Sequence, residues 1–232
     1  MTSVDIAGNL ERVRAQIADA VARRGPGPEV TLIGVGKRQS PAALREAIDA
    51  GLHDLGENYA QELASKLVAP ELARCTPRWH FIGALQSNKA KLVVGHATIH
   101  TVDRPSLVTA IAARARSLDV TPEVLVEVNL GGEAQKAGVE PDGLDRLLDA
   151  IAGEQGALRC VGLMSIPPDV DSPELSRPYF ARLRELAART RPRDHVELRQ
   201  LSMGMSGDFA EAIAEGATMV RVGTAIFGAR PS

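Results

Sequence analysis

An α/β fold, a single (β/α)8 TIM barrel with an extra N-terminal helix, is what the 232-residue sequence predicts. The first observation is that short apolar runs rich in β-branched residues alternate with helical patterns along the chain. Such alternation produces parallel strands, and eight strand–helix units match the number that closes a TIM barrel. The second is that no linker and no shift in composition divides residues 1–232, which predicts one domain. An open doubly wound sheet is disfavoured, because no G-x-G-x-x-G follows the first strand.

The elements can be assigned in order from the N-terminus. Residues 1–25 are predicted to form the extra helix, packed on the barrel, because charged and apolar residues recur there at helical spacing. The eight strands are predicted at residues 30–36, 53–56, 79–83, 98–102, 124–129, 160–165, 196–202 and 219–223. The segments between them have helical patterns, several beginning with Ser, Pro or Asp and ending at Gly. In such a barrel the functional groups follow the C-terminal ends of the strands.

The composition argues against several classes of function. With 27 Lys and Arg against 29 Asp and Glu, the formal net charge is -2, so no overall field recruits nucleic acid or an anionic membrane. The N-terminus has no signal-like apolar region and no run is long enough to span a bilayer, which predicts a cytoplasmic protein. Cys75 and Cys160 are too far apart for a metal-binding pair, and the five histidines form no HExxH motif. No metal site is predicted.

The lysine that ends the first strand is the main candidate for chemistry. The stretch "TLIGVGK" is apolar until Lys37 closes it. A lysine in this position can simply extend to solvent. In a barrel, however, Lys37 lies on the active face, where burial would lower the pKa of its amine and make it nucleophilic near neutral pH.

The last two strands predict a phosphate site across the mouth from that lysine. The stretches "LSMGMSGD" and "VRVGTAIFG" supply small residues, and TIM barrels often bind phosphate with the loops after strands seven and eight. Ser202, Gly223 and Thr224 are the candidates, while Ser206 is weaker because its position also suits a helix cap. A lysine and a phosphate site together suggest a Schiff base with a phosphorylated carbonyl compound. A class I sugar-phosphate aldolase and a pyridoxal 5′-phosphate (PLP) protein both remain open.

Six stretches resemble one known family, the PLP homeostasis proteins, over nearly the whole chain. They are "VGK" (35–37), "LGENYAQE" (55–62), "WHFIGALQSNK" (79–89), "VEVNLGGEAQKAG" (126–138), "GLMSIP" (162–167) and "LSMGMSGDFAEAIAEGATMVRVGTAIFGAR" (201–230). The resemblance implies the PLP-binding barrel, fold type III, of the N-terminal domain of alanine racemase. It also implies that Lys37 holds PLP as an internal aldimine and that Arg221 faces the pyridine nitrogen. Ser202, Gly223 and Thr224 would surround the phosphate, and Asn58 would lie near the ring.

Other polar residues of these motifs are given structural roles. His80 alternates with Trp79 along a strand and is predicted to be a hydrogen-bonded interior histidine rather than a catalytic group. Lys136, after the fifth strand, is predicted to be an exposed loop lysine.

The resemblance favours a carrier over an enzyme. An arginine opposite the ring nitrogen weakens the cofactor as an electron sink, and the chain ends at Ser232 without the C-terminal domain that gives alanine racemase its tyrosine base. The expected function is a PLP-binding protein of vitamin B6 and amino-acid homeostasis, monomeric and without evident catalysis. Small amino acids as external aldimines and PLP-dependent apoenzymes are its expected partners. The alternative is a PLP-dependent racemase or lyase with Tyr59 or His80 as base.

Overall fold

In the computed structural model, which describes residues 4–133 and 137–228, eight parallel strands close into a barrel in sequence order. The strands are β1 Thr31–Val35, β2 Asp54–Glu57, β3 Arg78–Phe81, β4 Ala97–Val102, β5 Glu123–Glu127, β6 Arg159–Met164, β7 Val196–Ser202 and β8 Met219–Val222. All eight predicted strands are present, and their ends differ from the prediction by at most two residues. The (β/α)8 barrel is therefore confirmed.

Closure of the barrel depends on β1, which pairs in parallel with β2 on one side and with β8 on the other. Because every strand runs in the same direction, the residues that follow the strands meet at one end of the barrel, its mouth. Lys37 follows β1, Asn58 follows β2, and Gly223 and Thr224 follow β8. The fold alone therefore brings these residues to the same end.

Helices cover the outside of the barrel. They are α1 Ile6–Arg24, α2 Pro41–Asp49, α3 Ala60–Leu67, α4 Pro105–Leu118, α5 Leu144–Ala152, α6 Arg177–Arg189, α7 Phe209–Ala214 and α8 Thr224–Phe227. The extra helix α1 begins after Asp5, whose carboxylate accepts a hydrogen bond from the Gly8 N–H at 2.9 Å. It buries one face, including Leu10 and Val13, and contacts α2, α7 and α8.

The main apolar core lies between the strands and the helices, whereas polar side chains crowd the interior of the barrel. Successive residues of a strand point to opposite sides. Along β2, Leu55 joins the apolar core and Glu57 bonds to a helix, while Asp54 bonds to an interior histidine. The polar side chains that meet in the interior are Asp54, His80, His100, Ser202 and Arg221, all buried.

Cysteines, metal clusters and membrane spans add little to the functional picture. Cys160 is a buried free thiol of the core, and Cys75 is a partly buried free thiol. Among the described residues, no group of His, Cys, Asp and Glu side chains could hold a metal ion. Within the same ranges, no helix combines the length and the apolar character that crossing a membrane requires.

Candidate functional site

The mouth of the barrel contains a cavity of about 230 Å³ between the ends of β1 and β8. Lys37 borders it from the turn after β1, and Gly223 and Thr224 border it at the start of α8. Ser206 borders it from the loop between β7 and α7, and Arg221 reaches it from β8. The structure therefore brings a primary amine, a guanidinium and small residues with hydroxyl and backbone donors around one space.

Two serines of the "LSMGMSGD" stretch differ from the sequence-based expectation. Ser202 is fully buried and does not border the cavity; its hydroxyl bonds to Arg221 and His100 instead. Ser206 does border the cavity, and its hydroxyl accepts a hydrogen bond from the Gly223 N–H at 3.3 Å. It does not cap α7, which begins after Asp208. The contact between Ser202 and a phosphate stays a prediction, while Ser206 is the serine whose hydroxyl lies at the cavity.

Arg221 is held rigidly beneath the cavity. Its Nη1 donates to the Ser202 hydroxyl at 2.8 Å, and its Nη2 donates to the Ser165 carbonyl at 3.0 Å. Burial lowers the pKa of Arg221 to about 10, while the charges of Glu127 and Asp208 act in the opposite direction. Since this pKa is still well above 7, the guanidinium stays a cation that only donates hydrogen bonds.

A chain of hydrogen bonds, here called the interior chain, runs from Arg221 through the barrel. The Ser202 hydroxyl lies 2.8 Å from His100 Nδ1, and His100 Nε2 lies 3.0 Å from His80 Nδ1. His80 Nε2 then lies 3.0 Å from the Asp54 carboxylate. Arg78 closes the far end with a bidentate pair to Asp54. Sequence reasoning foresaw only the interior role of His80, which is confirmed, because the other members come from distant strands.

The two ends of the interior chain fix its direction. Burial first, and also the nearby charge of Arg221, hold the pKa of His100 well below its usual value, so His100 is neutral. Burial alone would raise the pKa of Asp54, but hydrogen bonds from His80 and Arg78 bring it below its usual value. Because Arg221 only donates and an ionised Asp54 only accepts, a partner for every proton between them requires that each hydroxyl or imidazole accept on one side and donate on the other. We infer this direction, in which both histidines are Nε2–H tautomers.

A second cavity, of about 280 Å³, lies at the mouth and is lined by Asn58, Glu127 and Asn129 among others. Within the described part of the chain, the Oδ1 atom of Asn58 is buried without a hydrogen-bond partner. Burial, with a further contribution from Asp103, raises the pKa of Glu127 to about 7, although Arg221 acts against it. Sequence reasoning did not single out Glu127. The only signal for it was its position at the end of a strand, within "VEVN".

Two further features complete the survey of predicted and unexpected sites. Lys136 lies outside the described residues, so its predicted role as a loop lysine stays a prediction. A cavity of about 550 Å³ lies at the opposite end of the barrel, where residues such as Thr31 and Arg78 begin their strands. Functional groups of barrels of this type gather at the other end, and we therefore assign the chemistry to the mouth.

The residues at the mouth fit PLP. The Gly223 N–H has only a long hydrogen bond to Ser206, which a phosphate oxygen could replace with a shorter, charge-assisted one. The hydroxyls of Ser206 and Thr224 stand beside it at the same cavity. The amine of Lys37 is of the kind that attacks aldehydes, and Arg221 can donate to a ring nitrogen.

Comparisons with known proteins agree with this site. The family model "Alanine racemase, N-terminal domain" matches residues 9–231. The pyridoxal phosphate homeostasis protein of Aquifex aeolicus is 44% identical over 223 residues, which cover 95% of this chain and 96% of that one. The protein of the same name from Escherichia coli is 43% identical over 230 residues and 97% of each chain.

A solved structure of PipY from Synechococcus elongatus, with PLP bound, has a TM-score of 0.81 and 36% identity, and the match covers 97% of this chain and 100% of PipY. These matches extend over nearly the full length of each relative, so they concern the barrel as a whole rather than one motif. The chain therefore belongs to the family of pyridoxal phosphate homeostasis proteins, whose barrel is that of the alanine racemase N-terminal domain.

Proposed function

We propose that the chain binds PLP through Lys37 and acts in intracellular PLP (vitamin B6) and amino-acid homeostasis rather than as an enzyme. The observation that carries the proposal is that the Lys37 amine and the donors of Ser206, Gly223 and Thr224 border one cavity above Arg221. The names of the relatives and the PLP bound in PipY support it. We keep the expectations of a cytoplasmic monomer, with small amino acids and PLP-dependent apoenzymes as partners.

The residues around the cavity support binding more than catalysis. PLP, when bound, supplies an electron sink whose strength depends on a protonated ring nitrogen. Arg221 is held as a hydrogen-bond donor by Ser202 and the Ser165 carbonyl, so it does not supply the proton that the ring nitrogen would need. Of the two bases considered for a racemase or lyase, His80 has both ring nitrogens engaged in the interior chain. Tyr59 is 49% exposed, so solvent reaches much of its side chain. A catalytic base protected from water would be buried.

Covalent labelling tests the assignment of Lys37. Purified protein with PLP, reduced with borohydride and digested, should carry the label on Lys37. The Lys37→Ala variant should keep its circular dichroism spectrum and lose the label, because a lysine at the mouth serves chemistry rather than the core. The exposed Lys91 offers a matched control, and Lys91→Ala should label normally. A label on any other lysine of the wild type would overturn the assignment, and a sugar phosphate trapped in preference to PLP would point to an aldolase.

Hydrogen exchange in D2O separates a carrier from an enzyme. Adding alanine or serine to the PLP-loaded protein should change its absorption spectrum, since an incoming amine can displace Lys37. Proton NMR should show no matching incorporation of deuterium at the α-carbon. Exchange at an ordinary enzymatic rate, on the order of 1 per second or faster, that disappears in Lys37→Ala would establish a racemase or lyase instead.

A further inference from the structure

The turn that carries Lys37 has an unusual and well-anchored backbone. Gly36 donates its N–H to the Gly56 carbonyl at 2.9 Å, and Gln39 donates to the Gly36 carbonyl at 2.9 Å. Arg38 has a φ of 61°, in the left-handed region that non-glycine residues adopt only when their surroundings impose it. A Cβ on Gly36 would lie 2.8 Å from the end of the Leu44 side chain and 2.9 Å from the Glu57 carboxylate, so any other residue would have to displace both. Something beside the turn must hold this conformation.

A second lysine lies directly beneath the turn. Lys66, on α3, is only 3% exposed, and its ammonium donates three hydrogen bonds. The acceptors are the Gly36 carbonyl at 2.7 Å, the Glu57 carboxylate at 2.6 Å and the Glu62 carboxylate at 2.7 Å. An ammonium has three protons, so every donor of Lys66 is used. Lys66 is therefore an unsuitable competitor for an aldehyde, although it lies near Lys37 in the fold.

The same cluster also binds the other side of Lys37. The Glu62 Oε1 atom that accepts from Lys66 accepts the Arg38 N–H as well, at 2.5 Å. Lys66 thus bonds to the residue before Lys37, and Glu62 bonds to the residue after it. Since the main-chain atoms on both sides are fixed, the direction in which the Lys37 side chain leaves the backbone is fixed too.

The charges explain why the cluster holds tightly. Glu57 is fully buried, and burial raises its pKa to about 7 although the hydrogen bond from Lys66 lowers it. Its Oε2 atom has no hydrogen-bond partner among the residues that the structure describes. Removing one member of a buried ion pair leaves an uncompensated charge, so Lys66 cannot leave the Gly36 carbonyl cheaply. Displacing the turn would break the hydrogen bond between Lys66 and the Gly36 carbonyl, so the cluster opposes that displacement.

We propose that Lys66, with Glu57 and Glu62, is a positioning residue that holds the Gly36–Lys37–Arg38 turn so that the Lys37 amine meets the aldehyde of PLP. The inference rests on the proposed function and adds a group that never touches the cofactor. In the step it serves, the Lys37 nitrogen bonds to the aldehyde carbon and one water leaves. A displaced amine would slow that step, because a misplacement of about 1 Å can cost up to about a hundredfold in rate.

The test compares PLP with pyridoxine 5′-phosphate, which carries an alcohol in place of the aldehyde. In Lys66→Met, the rate of covalent PLP capture, followed by stopped-flow absorbance, should fall by about tenfold or more. The affinity for pyridoxine 5′-phosphate, measured by calorimetry, should change by less than about twofold, within ordinary variation for an undisturbed site. In a Lys37→Ala background, adding Lys66→Met should leave PLP affinity unchanged, because there is no amine left to position.

A milder variant covers the case in which Lys66→Met does not fold. Glu62→Ala removes a side chain that is 22% exposed, and it should slow PLP capture and speed hydrogen exchange of the Arg38 amide in the cofactor-free protein. Glu46→Ala, on the exposed face of α2, should do neither. Wild-type capture rates in the folded variants, or equal losses of both ligands, would overturn the positioning role. Failure of the wild type to label at Lys37 would instead overturn the proposed function.

Discussion

The two faces of β2 carry two buried polar networks that are built in opposite ways. Asp54 faces the interior and ends the interior chain, in which two imidazoles and a hydroxyl link a carboxylate to Arg221. Glu57 faces the helices and joins a compact ionic cluster with Lys66 and Glu62. The first network is a linear chain of hydrogen bonds with one direction, and the second is a compact group of ion pairs. Directional hydrogen bonds therefore hold the guanidinium of Arg221, whereas ion pairs hold the turn that carries Lys37.

The difference has a physical reason. A barrel interior offers few positions for full charges, because several kcal/mol are needed to bury each unpaired ion. The neutral His100 carries the connection towards Arg221 without adding a charge there. In the cluster beside the turn at Lys37, Glu62 is 22% exposed, so water solvates part of its charge and lowers the cost of an ionic cluster there.

Breaking the interior chain should produce the largest loss of stability. His100→Leu leaves His80 Nδ1 and the Ser202 hydroxyl without their buried partner, and each unsatisfied group costs about 1–3 kcal/mol. We expect the free energy of unfolding, measured with urea, to fall by about 3 kcal/mol. His53→Leu, at an exposed position, should have little effect.

The companion measurement for the interior chain is nitrogen-15 NMR of the wild-type imidazoles. His80 and His100 should both show a protonated Nε2 and a bare Nδ1, because the chain has one direction. A protonated Nδ1 on His100 would mean that the direction assigned here is wrong.

The interior chain also shows where sequence reasoning ends. The strands, Lys37 and the glycine and threonine after β8 could be placed from apolar runs and their endings, because those signals are local. The contacts of Ser202 and Ser206 could not be predicted, because they depend on how the end of β7 and the loop after it lie beside Arg221 and Gly223 in the fold. Lys66 had only one local signal, its spacing of four residues from Glu62, because its partners Gly36 and Glu57 become its neighbours only when β1 pairs with β2.

Variants at the phosphate side of the cavity distinguish the role of Ser202 from that of Thr224. Thr224→Ala should lower PLP affinity by about one to two decades, because a hydrogen bond to a charged group contributes about 1.5–3 kcal/mol. Affinity for pyridoxal, which lacks the phosphate, should stay unchanged in this variant. Ser202→Ala should instead change the affinities for PLP and pyridoxal by the same factor, because it acts through Arg221.

Titration calorimetry with the two ligands gives the ratio of affinities directly. A lower ratio of PLP to pyridoxal affinity in Ser202→Ala would show that Ser202 contacts the phosphate after all. An unchanged ratio in Thr224→Ala would mean that the phosphate lies elsewhere.

The last prediction concerns the pH dependence of stability at Glu127, an interior carboxyl outside both networks. Burial raises its pKa from 4.5 to about 7, with Asp103 adding to the rise and Arg221 opposing it. Between these two values the folded protein holds a proton that the unfolded chain has released. The free energy of unfolding therefore falls as the pH rises through this window, by at most about 1.4 kcal/mol per pH unit for one group. Glu127→Gln removes the titration, so its stability relative to the wild type should increase from pH 4.5 to pH 7 and level off above that. Urea unfolding of the cofactor-free proteins across this range measures the difference, and a constant difference would show that Glu127 ionises in the folded protein at its usual pKa.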